Sequence, residues 1–169
     1  WTVASVGGWP GSSYYFGAAL GAGDINGDGF DDLAISSPYE VGNRGAVYVL
    51  YGSTASLSAT NAQEIRYFSS TGPRCLVIAD FHGDTFGDLA MGLPNEFESG
   101  GAVLVAFGTP YGLDSNPQIL TQDTPGVAGI VEPQDGFGSS LAAADFNRDG
   151  RWDLAVGSPG ENSSAGIAH

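Results

Sequence analysis

Three stretches of this chain align with one another without a gap, and that repetition constrains the fold more than any other feature. They are Asp24–Asp32 (DINGDGFDD), Asp80–Asp88 (DFHGDTFGD) and Asp145–Asp153 (DFNRDGRWD), each with Asp at positions one, five and nine. Twelve residues after the first Asp, each unit begins a triplet ending in proline: Ser36-Ser37-Pro38, Gly92-Leu93-Pro94 and Gly157-Ser158-Pro159. Twenty-one residues after it stands a glycine, Gly45, Gly101 or Gly166. Eight residues before it, the first and third units have Phe16-Gly17 and Phe137-Gly138, where the second has Gly72-Pro73. The period is 56 residues and then 65, with the extra length between Gly108 and Phe137, as a loop insertion gives.

Strand signals fall at the same places in each unit. Ala18–Ala22, Leu76–Ala79 and Ser140–Ala144 are short, small and apolar; Leu33–Ser36, Leu89–Gly92 and Leu154–Gly157 follow the acidic loops. Ala46–Tyr51 and Ala102–Phe107 are rich in Val, Leu and aromatics, and weaker strands are expected at Glu64–Phe68 and Gln118–Thr121. No stretch keeps a 3.6-residue period over three turns, so helix beyond a turn or so is not expected. Four short antiparallel strands per unit of about 40–60 residues predict an all-β chain of propeller blades, about three of them. A β-sandwich has no reason to repeat whole four-strand units. The expected division is an outer strand of a preceding blade within 1–15, a first repeat at 16–71, a degenerate second at 72–136 and a truncated third at 137–169. Three blades do not close a ring. The remaining blades are expected from a longer chain, or from a second copy paired edge to edge, because an open propeller exposes strand edges.

The acidic loops have the chemistry of a hard-cation site. Calcium takes six to eight oxygens at about 2.3–2.6 Å. Side chains at positions one, three, five and nine of a tight loop, with the carbonyl of position seven, converge on one point. The first site is predicted from Asp24, Asn26, Asp28, the carbonyl of Phe30, and Asp32; the third from Asp145, Asn147, Asp149, the carbonyl of Arg151, and Asp153. An EF-hand would need Glu at position twelve, but Ile35 and Val156 stand there, so these are hairpin loops between strands. In the second loop Asp80, Asp84, Asp88 and the carbonyl of Phe86 remain. His82 replaces the position-three oxygen ligand and Thr85 the position-six glycine, so weaker binding or an empty site is expected there. Zinc at His82 is disfavoured because its other ligands are all carboxylates.

Charge fits this reading. With 19 acidic and five basic residues the net charge is −14, and nine of the acids are the loop aspartates. Such a chain lacks the basic footprint that nucleic acid or an anionic membrane surface requires. No apolar run approaches a membrane span. Cys75 is the sole cysteine, so no intrachain disulfide forms, and it is expected to be packed rather than reactive. With two histidines, no Gly-x-Ser-x-Gly and no HExxH, no catalytic machinery is expected. Glu96 and Glu98 are expected on a solvated turn, and Trp1, Trp9, Tyr14, Tyr15 and Phe16 form an aromatic cluster that packs between blades or stacks on sugars.

The order Phe-Gly, acidic loop, Gly-x-Pro, then Gly-Ala-Val-Tyr-Val resembles the FG-GAP repeat of integrin α-subunit propellers and related secreted proteins. FGAALGAGDINGDGFDDLAISSP and FGSSLAAADFNRDGRWDLAVGSP match closely, and the middle copy matches from its loop onward. The resemblance implies a seven-bladed ring when complete, calcium in the loops between the first two strands of a blade, and a secreted or cell-surface setting. It also implies a role in adhesion or recognition of a protein or glycan ligand. The rival expectations are a propeller belonging to a secreted enzyme acting on polysaccharide or lipid, and a self-assembling scaffold.

Overall fold

The computed structural model describes Thr2, Ser5 and residues 15–40, 44–66 and 71–169. Apart from Thr2, Ser5 and Tyr15, the segment 1–15 in which an outer strand is expected lies outside the described residues, as do Trp1, Trp9 and Tyr14. The architecture is all-β. The first sheet runs β1 (Leu20–Gly23), β2 (Asp32–Ser37), β3 (Ala46–Tyr51) and β4 (Ser58–Ile65), in spatial order and all antiparallel. The second contains β5 (Cys75–Ala79), β6 (Asp88–Leu93), β7 (Ala102–Ala106) and, at its outer edge, β10 (Gln118–Leu120). Between β7 and β10 the inserted residues form a small hairpin, β8 (Gly108–Thr109) and β9 (Gly112–Leu113). The third sheet holds β11 (Ser140–Ala144), β12 (Asp153–Ser158) and β13 (Ile167–Ala168). Among the described residues the helical elements are a 3₁₀ turn at Phe97–Ser99 and one turn, α1, at Glu161–Ser164, with Ser5 also in a 3₁₀ conformation. No helix among the described residues is long and apolar enough to cross a membrane.

These are propeller blades. The innermost strands sit side by side, β1 against β5 and β5 against β11, and the sheets stack face to face. In β3, Val47 and Val49 face the second blade, packing with Ile65, Leu76, Leu89, Met91 and Leu104. Ala46, Tyr48 and Leu50 pack on the opposite face with Ile35 and Phe16. Both faces of this strand are covered, which is why its sequence is an unbroken apolar run rather than an alternating one. A second layer, Ala90, Val103, Val105, Phe137 and Val156, joins blades two and three. Each fully buried side chain of this size stabilises by about 1.5–3 kcal/mol.

The repeated Phe-Gly and late glycine are explained by contact between blades. A Cβ at Gly45 would stand 2.1 Å from the Gly72 Cα, and one at Gly101 would stand 2.2 Å from the Phe137 carbonyl oxygen. The glycine before β3 of one blade therefore lies against the turn that opens the next. Side chains add a further tie: Gln63 of β4 accepts from the Leu113 N–H (2.9 Å) and donates to the Leu113 carbonyl (2.8 Å), pairing like one more strand residue.

Strand positions follow expectation within a residue or two, with one correction. The fourth strand of the first blade spans Ser58–Ile65 and so begins six residues before the expected Glu64; Tyr67 and Phe68 of the expected span lie outside the described residues. Its first half, SATNA, alternates weakly because it is an edge strand largely open to solvent.

Candidate metal centres

All three acidic loops connect the first two strands of their sheets, as the repeat predicts. They are built from the backbone outward. In the first loop the Asp24 carboxylate accepts N–H bonds from Gly27 (2.8 Å), Asp28 (3.1 Å) and Gly29 (2.8 Å). Asp28 accepts from Phe30 (2.9 Å), and its other oxygen faces the Asn26 amide at 3.1 Å. Asp145 and Asp149 repeat this, accepting from Asp149 and Gly150 (3.0 Å each) and from Arg151 (2.9 Å), with the Asn147 amide 3.0 Å from Asp149.

The position-nine aspartate has a different task. Asp32 and Asp88 are fully buried, and each accepts the N–H of position two, Ile25 or Phe81, at 2.9 Å. Their second oxygens accept from Gly52 (2.7 Å) and Gly108 (2.9 Å), just beyond the third strand of the blade. One carboxylate thus ties the loop to the end of a distant strand. Burial raises the Asp32 pKa above the ordinary carboxylate range, against the two backbone bonds that favour its charged form; Asp28 and Asp24 raise it further. Position two anchors the loop from below: Ile25 is wholly inside the layer between blades one and two, and Phe81 packs on the layer between two and three.

The second loop keeps the frame and changes the centre. Asp80 accepts from Gly83 (2.6 Å), Asp84 (3.1 Å) and Thr85 (2.8 Å), and Asp84 from Phe86 (3.0 Å). Burial pushes the Asp80 pKa up, but these three N–H groups and nearby His82 outweigh it and hold it below the usual range. His82 turns into the loop, Nδ1 2.9 Å from Asp88 and Nε2 3.0 Å from Asp84. The bond to Asp88 raises the imidazole pKa against the cost of burial, and the charges of Asp88, Asp84 and Asp80 add to it. Asp80, His82 and Asp88 are the one group among the described residues that brings three acidic or imidazole ligand atoms within 4.8 Å of one another. In the first and third loops the aspartates do not close to that distance. Their donor set nonetheless fits a hard cation: each carboxylate oxygen has two lone pairs, so one held by a single N–H still has one to give.

Outside the loops, the turn after each prolyl triplet carries a feature the sequence reading missed. Glu40, Glu96 and Glu161, each sixteen residues after the first loop Asp, are all buried. Glu40 accepts from the Tyr48 hydroxyl (2.7 Å) and pairs with Arg66, which also meets Glu64; Glu161 accepts from the Gln122 amide. Burial and the Glu40 bond raise the Tyr48 pKa. The expectation of a solvated Glu96–Glu98 turn is therefore corrected: Glu98 is exposed, Glu96 is not. The repeated Pro-x-Glu was the signal available.

Cys75 is half-buried, with its thiol donating to the Gly138 carbonyl (3.2 Å). Burial pushes its pKa up to about 11, against a bond from the Gly92 N–H, so the thiolate is scarce at neutral pH. Ser158 Oγ lies 3.1 Å from His169 Nε2, yet His169 Nδ1 is buried without a partner, so the pair lacks the carboxylate of a triad.

Two four-stranded sheets and a three-stranded one, stacked with an acidic hairpin at the same place in each, define a β-propeller segment. The FG-GAP repeat family matches residues 16–50 and 137–169. Integrin alpha-PS5 of Drosophila melanogaster is 34% identical over 161 residues, 86% of this chain, and integrin alpha-5 of Xenopus laevis is 34% identical over 165 residues, 89% of this chain. Phosphatidylinositol-glycan-specific phospholipase D of Rattus norvegicus is 39% identical over 89 residues, 50% of this chain and 11% of the relative. The chain spans 15% of the length of the two integrin relatives. It carries FG-GAP repeats and is an integrin-like FG-GAP propeller.

Proposed function

We propose that this segment is a calcium-stabilised, extracellular recognition module with no catalysis of its own. The observation that carries the reading is the recurrence of one carboxylate arrangement on three hairpins, each at the same junction of strands. Calcium is held at the first loop by Asp24, Asn26, Asp28, the Phe30 carbonyl and Asp32. At the third it is held by Asp145, Asn147, Asp149, the Arg151 carbonyl and Asp153. Asp80, Asp84, Asp88 and the Phe86 carbonyl make the weak site, because His82 fills the centre. A bound ion would link side chains that the backbone network already orients, and would offset the mutual repulsion of the loop carboxylates. The repeats divide the chain at 16–71, 72–136 and 137–169, and the ring is completed by further blades, of a longer chain or of a second copy paired edge to edge.

Similarity to integrin α subunits over most of the chain supports an adhesion role toward a protein or glycan ligand. Similarity to a phospholipase D over half of it supports a second reading, a propeller attached to a secreted lipid-acting enzyme. Calorimetric titration tests the core of the proposal. Two ions bound per chain, lost singly in Asp28→Ala and Asp149→Ala, are expected; no heat of binding at millimolar calcium would overturn it.

A further inference from the structure

Six residues before the first Asp of each loop, at the start of the innermost strand, stand Ala18, Arg74 and Ser139. All three line one open cavity of about 560 Å³, at the end of those strands opposite the acidic loops. Asn95 and Gln134 stand on its walls. The same repeat position is therefore small in blades one and three and a long cation in blade two, which sets one guanidinium at the mouth of the axis with room beside it.

This arginine is held differently from Arg66. Arg66 pairs with Glu40 and Glu64, whereas no carboxylate of the described residues lies within 4.0 Å of Arg74. Arg74 instead donates to the Tyr39 hydroxyl and lies over the Tyr39 ring, 5.2 Å from its centroid. Tyr15 meets Tyr39 edge to face at 5.3 Å and is 66% exposed. A half-buried Tyr39 and an exposed Tyr15 thus form an aromatic pair beside the cation. Asn95 is oriented by donating to Thr71 Oγ1 at 2.8 Å. Arg74 is exposed on the wall of a concave site, so its guanidinium is open to an anionic ligand in a chain of net charge −14.

We propose that this cavity binds a carboxylated sugar. The planar guanidinium fork matches a carboxylate. Tyr39, which Arg74 touches beside the cavity rather than within it, would give a pyranose ring that extends past the guanidinium an apolar face with little conformational entropy to lose. The amides of Asn95 and Gln134 both donate and accept, which suits hydroxyl groups. An acidic peptide would use the guanidinium and leave the aromatic pair and the amides idle. The proposal rests on the recognition reading above and names its ligand class.

The test uses the whole chain in millimolar calcium, titrated with 3′-sialyllactose, with trigalacturonate, with neutral lactose and with a tetra-aspartate peptide. One or both acidic sugars bind and lactose does not, and the two arms tell a sialic acid from a uronic acid. Arg74→Ala weakens that binding at least tenfold, Arg74→Lys less, and Tyr15→Ala severalfold, all with unchanged calcium-dependent melting. Acidic sugars binding no better than lactose, Arg74→Ala binding like the parent, or the peptide binding more tightly than the sugars each overturns it. A chain that keeps its melting response to calcium yet ignores sugar acids refutes this inference and leaves the propeller reading intact.

Discussion

The first and second acidic loops hold one backbone around two different centres. In both, the position-one carboxylate gathers the same three N–H groups, and the position-nine carboxylate bonds position two and the glycine twenty residues on, just past the third strand. Positions four and six have positive φ in both: 71° and 88° at Gly27 and Gly29, 83° and 79° at Gly83 and Thr85. The difference lies at position three, where Asn26 contacts one carboxylate and His82 contacts two. Positions one and nine thus build the hairpin, and the side chain at position three sets what lies at its centre. A histidine side chain supports the second loop from within, where the first has only the Asn26 amide beside one carboxylate.

Chelation should separate the two loops most strongly. Ligand at a hundredfold over its dissociation constant stabilises by about 2.7 kcal/mol per site. For a chain of this length about 1 kcal/mol moves the melting temperature by roughly 2–4 °C. Two such sites predict a fall of about 10–20 °C when EDTA replaces millimolar calcium, measured by circular dichroism. Hydrogen exchange should place the loosening in Asp24–Asp32 and Asp145–Asp153 and spare Asp80–Asp88. An unchanged melt, or equal loosening in all three loops, would break the contrast.

Next in size is Asp88→Ala, read in EDTA. It leaves the N–H groups of Phe81 and Gly108 without their acceptor, at about 1–3 kcal/mol for each buried group, so about 3 kcal/mol is lost with no metal present. Asp28→Ala, which removes an exposed loop carboxylate, should cost most of its stability only when calcium is supplied. Equal losses in EDTA would show that no division of labour exists between position nine and position five.

Much of this was legible in the sequence, because the aspartates, prolines and glycines recur at fixed offsets and each offset has a physical cause. The turn glycines Gly45 and Gly101 could be located but not explained, since the backbone they meet belongs to the following blade. Glu96 was misread because a lone glutamate in a turn looks solvated, and only the threefold Pro-x-Glu register shows that the position is interior. His82 was read as a lost ligand. Its contact with two carboxylates depends on loop geometry that spacing does not encode. Strand β4 was placed late because an exposed edge imposes little apolar pattern.

Restoring the second loop is the converse experiment. His82→Asn with Thr85→Gly gives it the oxygen and the glycine of the first loop, and a third calcium ion should appear in titration, adding about 2–3 kcal/mol at saturating calcium. Failure to gain an ion would mean that positions three and six do not govern occupancy.

The smallest effect isolates the backbone. Thr85 holds φ 79° where the other two loops have Gly29 and Gly150, at 88° and 86°. A β-branched residue in the left-handed region costs on the order of 1–2 kcal/mol, and glycine removes that cost. Glycine also gives the unfolded chain more freedom, which takes back about 0.4–1 kcal/mol. Thr85→Gly alone should therefore raise stability in EDTA by about half a kcal/mol, a shift of one or two degrees, while His82 keeps the centre filled and calcium binding stays as it was. A gain in calcium affinity from this change by itself would assign control of the site to position six and remove His82 from the explanation.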